Sequence, residues 1–181
     1  MEKQKLLVIE ASKREESFSL ELSRYALSLF GGFDTSVFNV FTNSFAPCDG
    51  CNFCEKAGKC RHRDLDAFFK EFETADVLLI FSPVYNESFP APMKALLDRF
   101  QVYYTSFYAN KKRQPIKKRR KAVLTVCSGR GGEFALSVME RQLKNVFSIT
   151  NIEFSGSVLC NFTDTKPALE NAKRELCALL F

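Results

Sequence analysis

The chain has 181 residues, 46% of them hydrophobic, one histidine and seven cysteines. That is enough to bury a sizeable core in one domain, so residues 1–181 are expected to fold as a single unit. The net charge of +5 is uneven: Arg99 to Gly132 holds ten Lys or Arg and no acid, leaving 16 basic against 21 acidic residues elsewhere. No apolar run approaches the length of a membrane span, and the apolar stretch at residues 6–9 is too short for a signal peptide. A reducing, cytoplasmic location is expected, with no membrane partner.

Residues 5–9 form a short apolar run bounded by charge, which reads as a buried strand. A polar loop follows, then Phe18, Leu22, Tyr25, Ala26 and Leu29 repeat at helical spacing until Gly31 and Gly32 stop them. Residues 37–41 read as a second strand. Leu65, Phe68, Phe69 and Phe72 mark a second helix, and residues 77–81 a third strand, the most apolar of all. Pro90 and Pro92 suit the first turn of a helix carrying Met93, Leu96, Leu97 and Phe100. Residues 122–127 are a fourth strand, followed by a helix with Phe134, Val138, Leu143 and Val146. Residues 154–159 are a fifth, and Leu169, Ala172, Leu176 and Leu179 give a last helix.

Five strands thus alternate with five helices. Strands that read as unbroken apolar runs are covered on both faces, which predicts an α/β fold with a five-stranded parallel sheet. Right-handed crossovers favour the order 2-1-3-4-5, with ligands bound outside the carboxyl ends of strands 1, 3 and 4.

Three loops fall at that position. The first carries Ser12, Arg14, Ser17 and Ser19 at a helix start, where free N–H groups and guanidinium donors suit a phosphate. An ordinary serine cap is the alternative. No G-x-G-x-x-G occurs in it, which argues against a dinucleotide fingerprint. The second loop contains Ser82, Pro83, Val84, Tyr85, Asn86 and Glu87, and the third Ser128, Gly129, Gly131 and Gly132. Val84 and Tyr85 offer an apolar wall, and the glycines allow close approach of backbone.

Cys48, Cys51, Cys54 and Cys60 crowd into thirteen residues with spacing C-x2-C-x2-C-x5-C. That suits a cubane iron–sulfur cluster, which takes four thiolates, better than zinc, whose sites usually split into two knuckles. Cys127, Cys160 and Cys177 lie in strand or helix patterns and read as core residues. His62 reads as a polar residue before a helix. Phe30, Phe33, Phe45, Phe53, Phe89 and Phe107 fall in loops or turns, where they would shield a cofactor or an interface. The basic run at residues 111–121 lacks interleaved aromatics, which disfavours nucleic acid. It reads as a solvated loop, with nucleotide phosphate or an acidic partner as the alternatives.

Ser82-Pro-Val-Tyr85, followed by Lys94-Ala-Leu-Leu-Asp-Arg99, resembles the flavin-binding loop of flavodoxin-like NAD(P)H-dependent FMN reductases. Ser12 and Arg14 are similar to that family's phosphate loop, with Ser17 and Ser19 at its later positions, although this loop lacks the family's usual glycine and carries Glu15 and Glu16. The stretch from Cys127 to Glu133 resembles its glycine-rich segment. The cysteine loop resembles that of the iron–sulfur flavoproteins, a branch of the same fold. The resemblance implies a flavodoxin-like three-layer sandwich that binds FMN at these loops and takes hydride from NAD(P)H. It further implies a small-molecule or protein electron acceptor and a homodimer or homotetramer. Alternatives are an electron-transfer protein with FMN and a [4Fe-4S] cluster, and a non-enzymatic module with structural zinc.

Overall fold

The computed structural model describes residues 3–108 and 115–181. Its strands are β1 (Lys5–Glu10), β2 (Asp34–Asn39), β3 (Val77–Pro83), β4 (Arg120–Cys127) and β5 (Ile152–Cys160). Its helices are α1 (Phe18–Leu29), α2 (Phe53–Ala57), α3 (Asp66–Thr74), α4 (Ala91–Arg99), α5 (Gln101–Tyr108), α6 (Glu133–Ile149) and α7 (Leu169–Leu180). The strands form one sheet in the order β2-β1-β3-β4-β5. Every neighbouring pair is parallel. This is the order expected from the apolar runs and right-handed crossovers, and the arrangement that the flavodoxin-like resemblance implies.

The sheet is buried on both faces because its central strands alternate between two cores. Leu7, Ile9, Leu78 and Ile80 face Phe68 and Phe72 of α3, Met93 and Leu96 of α4, and Met139 and Leu143 of α6. Leu6, Val8, Leu79 and Phe81 face Leu22 and Ala26 of α1 and Ala172 and Leu176 of α7. Side chains of successive strand residues point to opposite faces, so each apolar run supplies both layers.

Two helices lie outside the five expected. α5 continues almost without interruption from α4, and its aromatic-rich sequence masks the helical period; Tyr103 is buried against Phe72 and Phe100. α2 is a single short turn between Asn52 and Gly58, both left-handed. β2 lies about three residues before the expected run, because an edge strand with one exposed face need not be apolar. The core places several loop-assigned phenylalanines as well. Phe89 is buried, Phe45 and Phe107 pack on the same core, and only Phe53 among these four is exposed.

Arg120, at the start of β4, is buried and donates to the carbonyls of Phe72 and Thr150, at the ends of α3 and α6. Its guanidinium also stacks 4.5 Å over the Phe72 ring. Burial lowers its pKa to about 10.

Candidate functional site

Backbone hydrogen bonds staple the carboxyl ends of the strands into one row. Ala11 N–H donates to Phe81 O at 2.8 Å, Val84 N–H to Cys127 O at 2.9 Å and Ser128 N–H to Cys160 O at 3.0 Å. The loops after β1, β3 and β4 therefore stand side by side at the switch point, where doubly wound sheets bind ligands.

In the first loop Ser17 is the N-cap of α1, and its hydroxyl accepts from Leu20 N–H at 3.2 Å. That bond satisfies one orphan donor of the helix and leaves the first N–H groups, at Phe18 and Ser19, facing out of its positive end. Ser12 and Ser19 are buried, and Ser19 Oγ has no hydrogen-bond partner. Arg14, Glu15 and Glu16 are exposed. The two carboxylates thus have access to water, which screens them from an anion at the helix start.

The loop after β3 begins with a tight hairpin. Tyr85 and Ser88 exchange both backbone hydrogen bonds, at 2.9 and 3.1 Å, across Asn86 (φ 49°) and Glu87 (φ 60°). Two successive left-handed residues make a type I′ turn, which usually carries glycine at its second position. The turn holds Tyr85 with 46% of its surface exposed. Pro83 and Val84 are half-buried behind it, and Gln142 of α6 donates to Ser88 Oγ at 3.1 Å to anchor the turn.

The loop after β4 is shaped by glycine. A Cβ on Gly129 would lie 2.3 Å from the Asp164 carboxylate, and one on Gly132 (φ 133°) would lie 2.7 Å from Ser128 Cβ. Ser128 is buried, and its carbonyl accepts from Thr163 N–H at 3.0 Å. Gly132 is also the N-cap of α6, so this loop presents a second helix start.

The cysteine loop is built separately. Cys48, Cys51, Cys54 and Cys60 are all free thiols, Cys51 exposed and the others half-buried. They line one cavity of about 30 Å³ with Arg61, His62, Arg99, Gln101 and Val102, and no lining residue comes from the three loops. The loop is closed at its neck by Arg99. This buried side chain donates to Ala46 O at 2.6 Å and His62 O at 3.0 Å, and pairs with Asp64 at 2.8 Å. Asp64 in turn accepts from Ala46 N–H at 2.7 Å. Burial pushes the Asp64 carboxyl up, but the bonds from Arg99 and Ala46 outweigh it and hold it below the usual range. Burial likewise works against the Arg99 charge, and Asp64 with the neighbouring Cys60 more than offsets it. Among the described residues, no group of three or more His, Cys, Asp or Glu is assembled to hold a metal ion.

Residues 4–160 match the family model for NADPH-dependent FMN reductase. The chain belongs to that family. It is 35% identical over 98 residues to an iron-sulfur flavoprotein of Methanocaldococcus jannaschii, a match covering 52% of this chain and 51% of that protein. It is 37% identical over 95 residues to an FMN-dependent NADH:quinone oxidoreductase of Rhizobium meliloti, covering 47% and 45%. The chain spans about half the length of the curated relatives it matches. Among solved structures, an NAD(P)H:quinone oxidoreductase from Methanothermobacter marburgensis superposes with TM-score 0.68 at 20% identity, covering 96% of this chain and 94% of that one. An FMN-dependent NADH-azoreductase from Bacillus anthracis, in complex with FMN, gives 0.66 at 16%, covering 98% of each. These likenesses establish the shared fold.

Within this member of the FMN reductase family, the described part of the basic run, residues 115–121, lies far from the three loops. Lys117 to Lys121 sit at the amino end of β4, a strand length of about 25 Å from Ser128. Lys118 pairs with Asp76 at 2.8 Å and Arg119 with Glu153 at 2.9 Å, so part of the charge is neutralised locally. Lys111, Lys112, Arg113 and Gln114 lie outside the described residues. His62 stands 3.7 Å from Asp49 and accepts from Arg61 at 3.3 Å.

Sequence reasoning missed the residues that brace the loops: Asn39, Asp64, Arg99 and Gln142. Each works through at least one partner more than fifteen positions away, so no local pattern marks it. Arg99 had one signal, a charge among the apolar residues ending α4.

Proposed function

We propose that this chain is an FMN-dependent oxidoreductase, a single FMN-binding domain that takes hydride from NAD(P)H and passes electrons to a separate acceptor. One observation carries the reading: the loops after β1, β3 and β4 are stapled together at the switch point, where doubly wound sheets bind their ligands. The family description names both the reduced nucleotide and FMN.

The residues fit the cofactor. The start of α1 offers Phe18 and Ser19 N–H, the unpartnered Ser19 hydroxyl and the Ser12 and Arg14 side chains to one phosphate. Pro83, Val84 and Tyr85 wall one side of a planar ring. The turn at Asn86 and Glu87 and the backbone of Ser128, Gly129 and Gly132 would face its other edge, in a loop whose packing on Asp164 and Ser128 requires glycine at 129 and 132. FMN, when bound, supplies the hydride chemistry between nucleotide and acceptor. The chain contributes orientation and electrostatics rather than an acid–base pair. Its only histidine belongs to the cysteine loop. A quinone or azo compound is the acceptor class that the names of related proteins favour. A homodimer or homotetramer in the cytoplasm completes the reading; no described helix is long and apolar enough to cross a membrane.

Anaerobic mixing of FMN-loaded protein with NADH or NADPH tests it. Bleaching of the flavin absorption, restored by a water-soluble quinone, is the expected result. A flavin that neither nucleotide bleaches would overturn the enzymatic reading.

A second reading adds a [4Fe-4S] cluster and makes the protein an electron carrier. It rests on four free thiols lining one cavity beside a buried arginine, and on the iron-sulfur names of several relatives. The thiols would have to close around the metal, since they are not so arranged. Structural zinc remains the third possibility for the same cavity. Anaerobic treatment with iron and sulfide, then with zinc alone, followed by metal analysis of Cys48→Ser, Cys51→Ser, Cys54→Ser and Cys60→Ser variants, separates the three. Stoichiometric iron lost in each variant supports the cluster. Retention of zinc alone supports the module, and no metal leaves the flavin reading by itself.

A further inference from the structure

Arg99 is costly where it stands. Its side chain is 1% exposed, and burying a guanidinium is unfavourable unless its donors are matched. The terminal nitrogens are matched: one donates to Ala46 O, the other to His62 O and Asp64. The Nε–H is not; it is buried and has no hydrogen-bond partner. An orphan buried donor in a native fold calls for a physical explanation. Arg120 has the same orphan, but the Phe72 ring lies 4.5 Å from its guanidinium. Arg99 instead lines the cavity of Cys48, Cys51, Cys54 and Cys60.

A second contact from the same pair of helices reaches a sulfur directly. Thr105 Oγ1, on a buried residue of α5, lies 3.6 Å from Cys54 Sγ. Between a hydroxyl and a thiol either atom can donate. A metal-bound thiolate only accepts, so in that state the Thr105 hydroxyl is the donor. Arg61 also lines the cavity, but its Nε donates to His62 Nε2 at 3.3 Å and a terminal nitrogen pairs with Asp49. The thiols sit on the loop and the short turn of α2, whereas Arg99 ends α4 and Thr105 lies within α5. The donors therefore stand on rigid elements before the thiols close on anything.

We propose that Arg99 and Thr105 are the hydrogen-bond donors of the cysteine site: the Arg99 Nε–H and the Thr105 hydroxyl each go to a thiolate sulfur when Cys48, Cys51, Cys54 and Cys60 hold a thiophilic metal or cluster. This rests on the reading that the four thiols take such a group, and it applies to zinc and to iron alike. Four thiolates around a dipositive centre leave excess negative charge in a half-buried cavity. Hydrogen bonds to the sulfurs offset that charge, and they tune both the affinity and the potential of a thiolate-held metal. The terminal nitrogens of Arg99 close the loop at its neck, and its Nε–H serves what the loop encloses.

The probe is cadmium-113, a thiophilic metal with a nuclear spin, added alone to reduced, nitrogen-15-labelled full-length protein. The expected result is a scalar coupling, passed through sulfur, between the bound cadmium and one arginine Nε–H proton. It should be present in wild type and Arg61→Lys and absent from Arg99→Lys. Asp64→Asn loosens the neck of the loop but keeps the Nε–H, so it should keep the coupling; this separates the donor from the clasp. Cadmium affinity, measured against a competing chelator, should fall about tenfold or more in Arg99→Lys and in Thr105→Val. Thr105→Val is nearly isosteric and leaves the clasp intact, and its circular dichroism should match wild type. Cadmium held by four sulfurs without an arginine coupling, or with undiminished affinity in Thr105→Val, would overturn the donor assignment and leave the metal reading standing. A wild-type protein that takes up no cadmium would overturn both.

Discussion

The side-chain amide of Asn39 donates to the main-chain carbonyl of Ser12 at 2.9 Å. The same nitrogen lies 3.3 Å from Glu10 Oε2, and Asn39 Oδ1 accepts from Phe41 N–H at 2.9 Å. One residue at the end of β2 thus fixes the first turn of the candidate phosphate loop and the first step toward the cysteine loop.

Asn39→Asp keeps the shape but removes the donor and sets a carboxylate against Glu10. An unsatisfied partner costs about 1–3 kcal/mol. FMN affinity is expected to fall about tenfold, roughly 1.4 kcal/mol, measured by quenching of flavin fluorescence. An unchanged dissociation constant, with the protein still folded, would separate Asn39 from the loop's function.

Glu87 sits at φ 60° in the second position of the turn. A left-handed conformation costs a non-glycine residue roughly 1–2 kcal/mol, so Glu87→Gly is expected to stabilise the protein by about 1 kcal/mol, a rise in melting temperature of about 2–4 °C. A lower melting temperature would mean that the Glu87 side chain makes a compensating contact.

The clasp at the neck of the cysteine loop has a pH signature. The Asp64 carboxyl is depressed in the folded protein. Its stabilising contribution is therefore complete above the unfolded value of about 3.9 and is lost as pH falls below that, through the folded pKa. Hydrogen exchange of residues 46–62 should accelerate in that acid range before the central strands open. Asp64→Asn should produce the same loosening at neutral pH, with a loss of about 1.5–3 kcal/mol for a hydrogen bond to a charged group.

Reversing Lys117, Lys118 and Arg119 to Glu should leave the Michaelis constants for NADH and NADPH within about twofold of each other's original ratio, because the segment lies a strand length from the loops. Stability should drop by about 1–2 kcal/mol as the exposed pairs with Asp76 and Glu153 become repulsive. A selective rise for NADPH would place the nucleotide phosphate on this segment after all.

The sheet was legible because β1, β3 and β4 read as buried apolar runs, and the crossover rules then leave few orders. The three loops followed from that order. The edge strand β2 and the aromatic helix α5 were less legible, since neither carries the simple period of its class. The braces were illegible for a different reason. Asn39, Arg99 and Gln142 work through contacts 27, 53 and 54 residues away, which sequence spacing does not encode.

The most direct test of the account is the identity and affinity of the flavin. Purified protein, stripped and titrated, is expected to bind one FMN per chain with marked preference over FAD, and to release FMN intact on denaturation. Binding should weaken when Arg14 and Ser12 are both replaced by Ala, since the loss of a charged hydrogen bond is about 1.5–3 kcal/mol. Release of FAD, or no measurable affinity for FMN in folded protein, would contradict the assignment of the three loops.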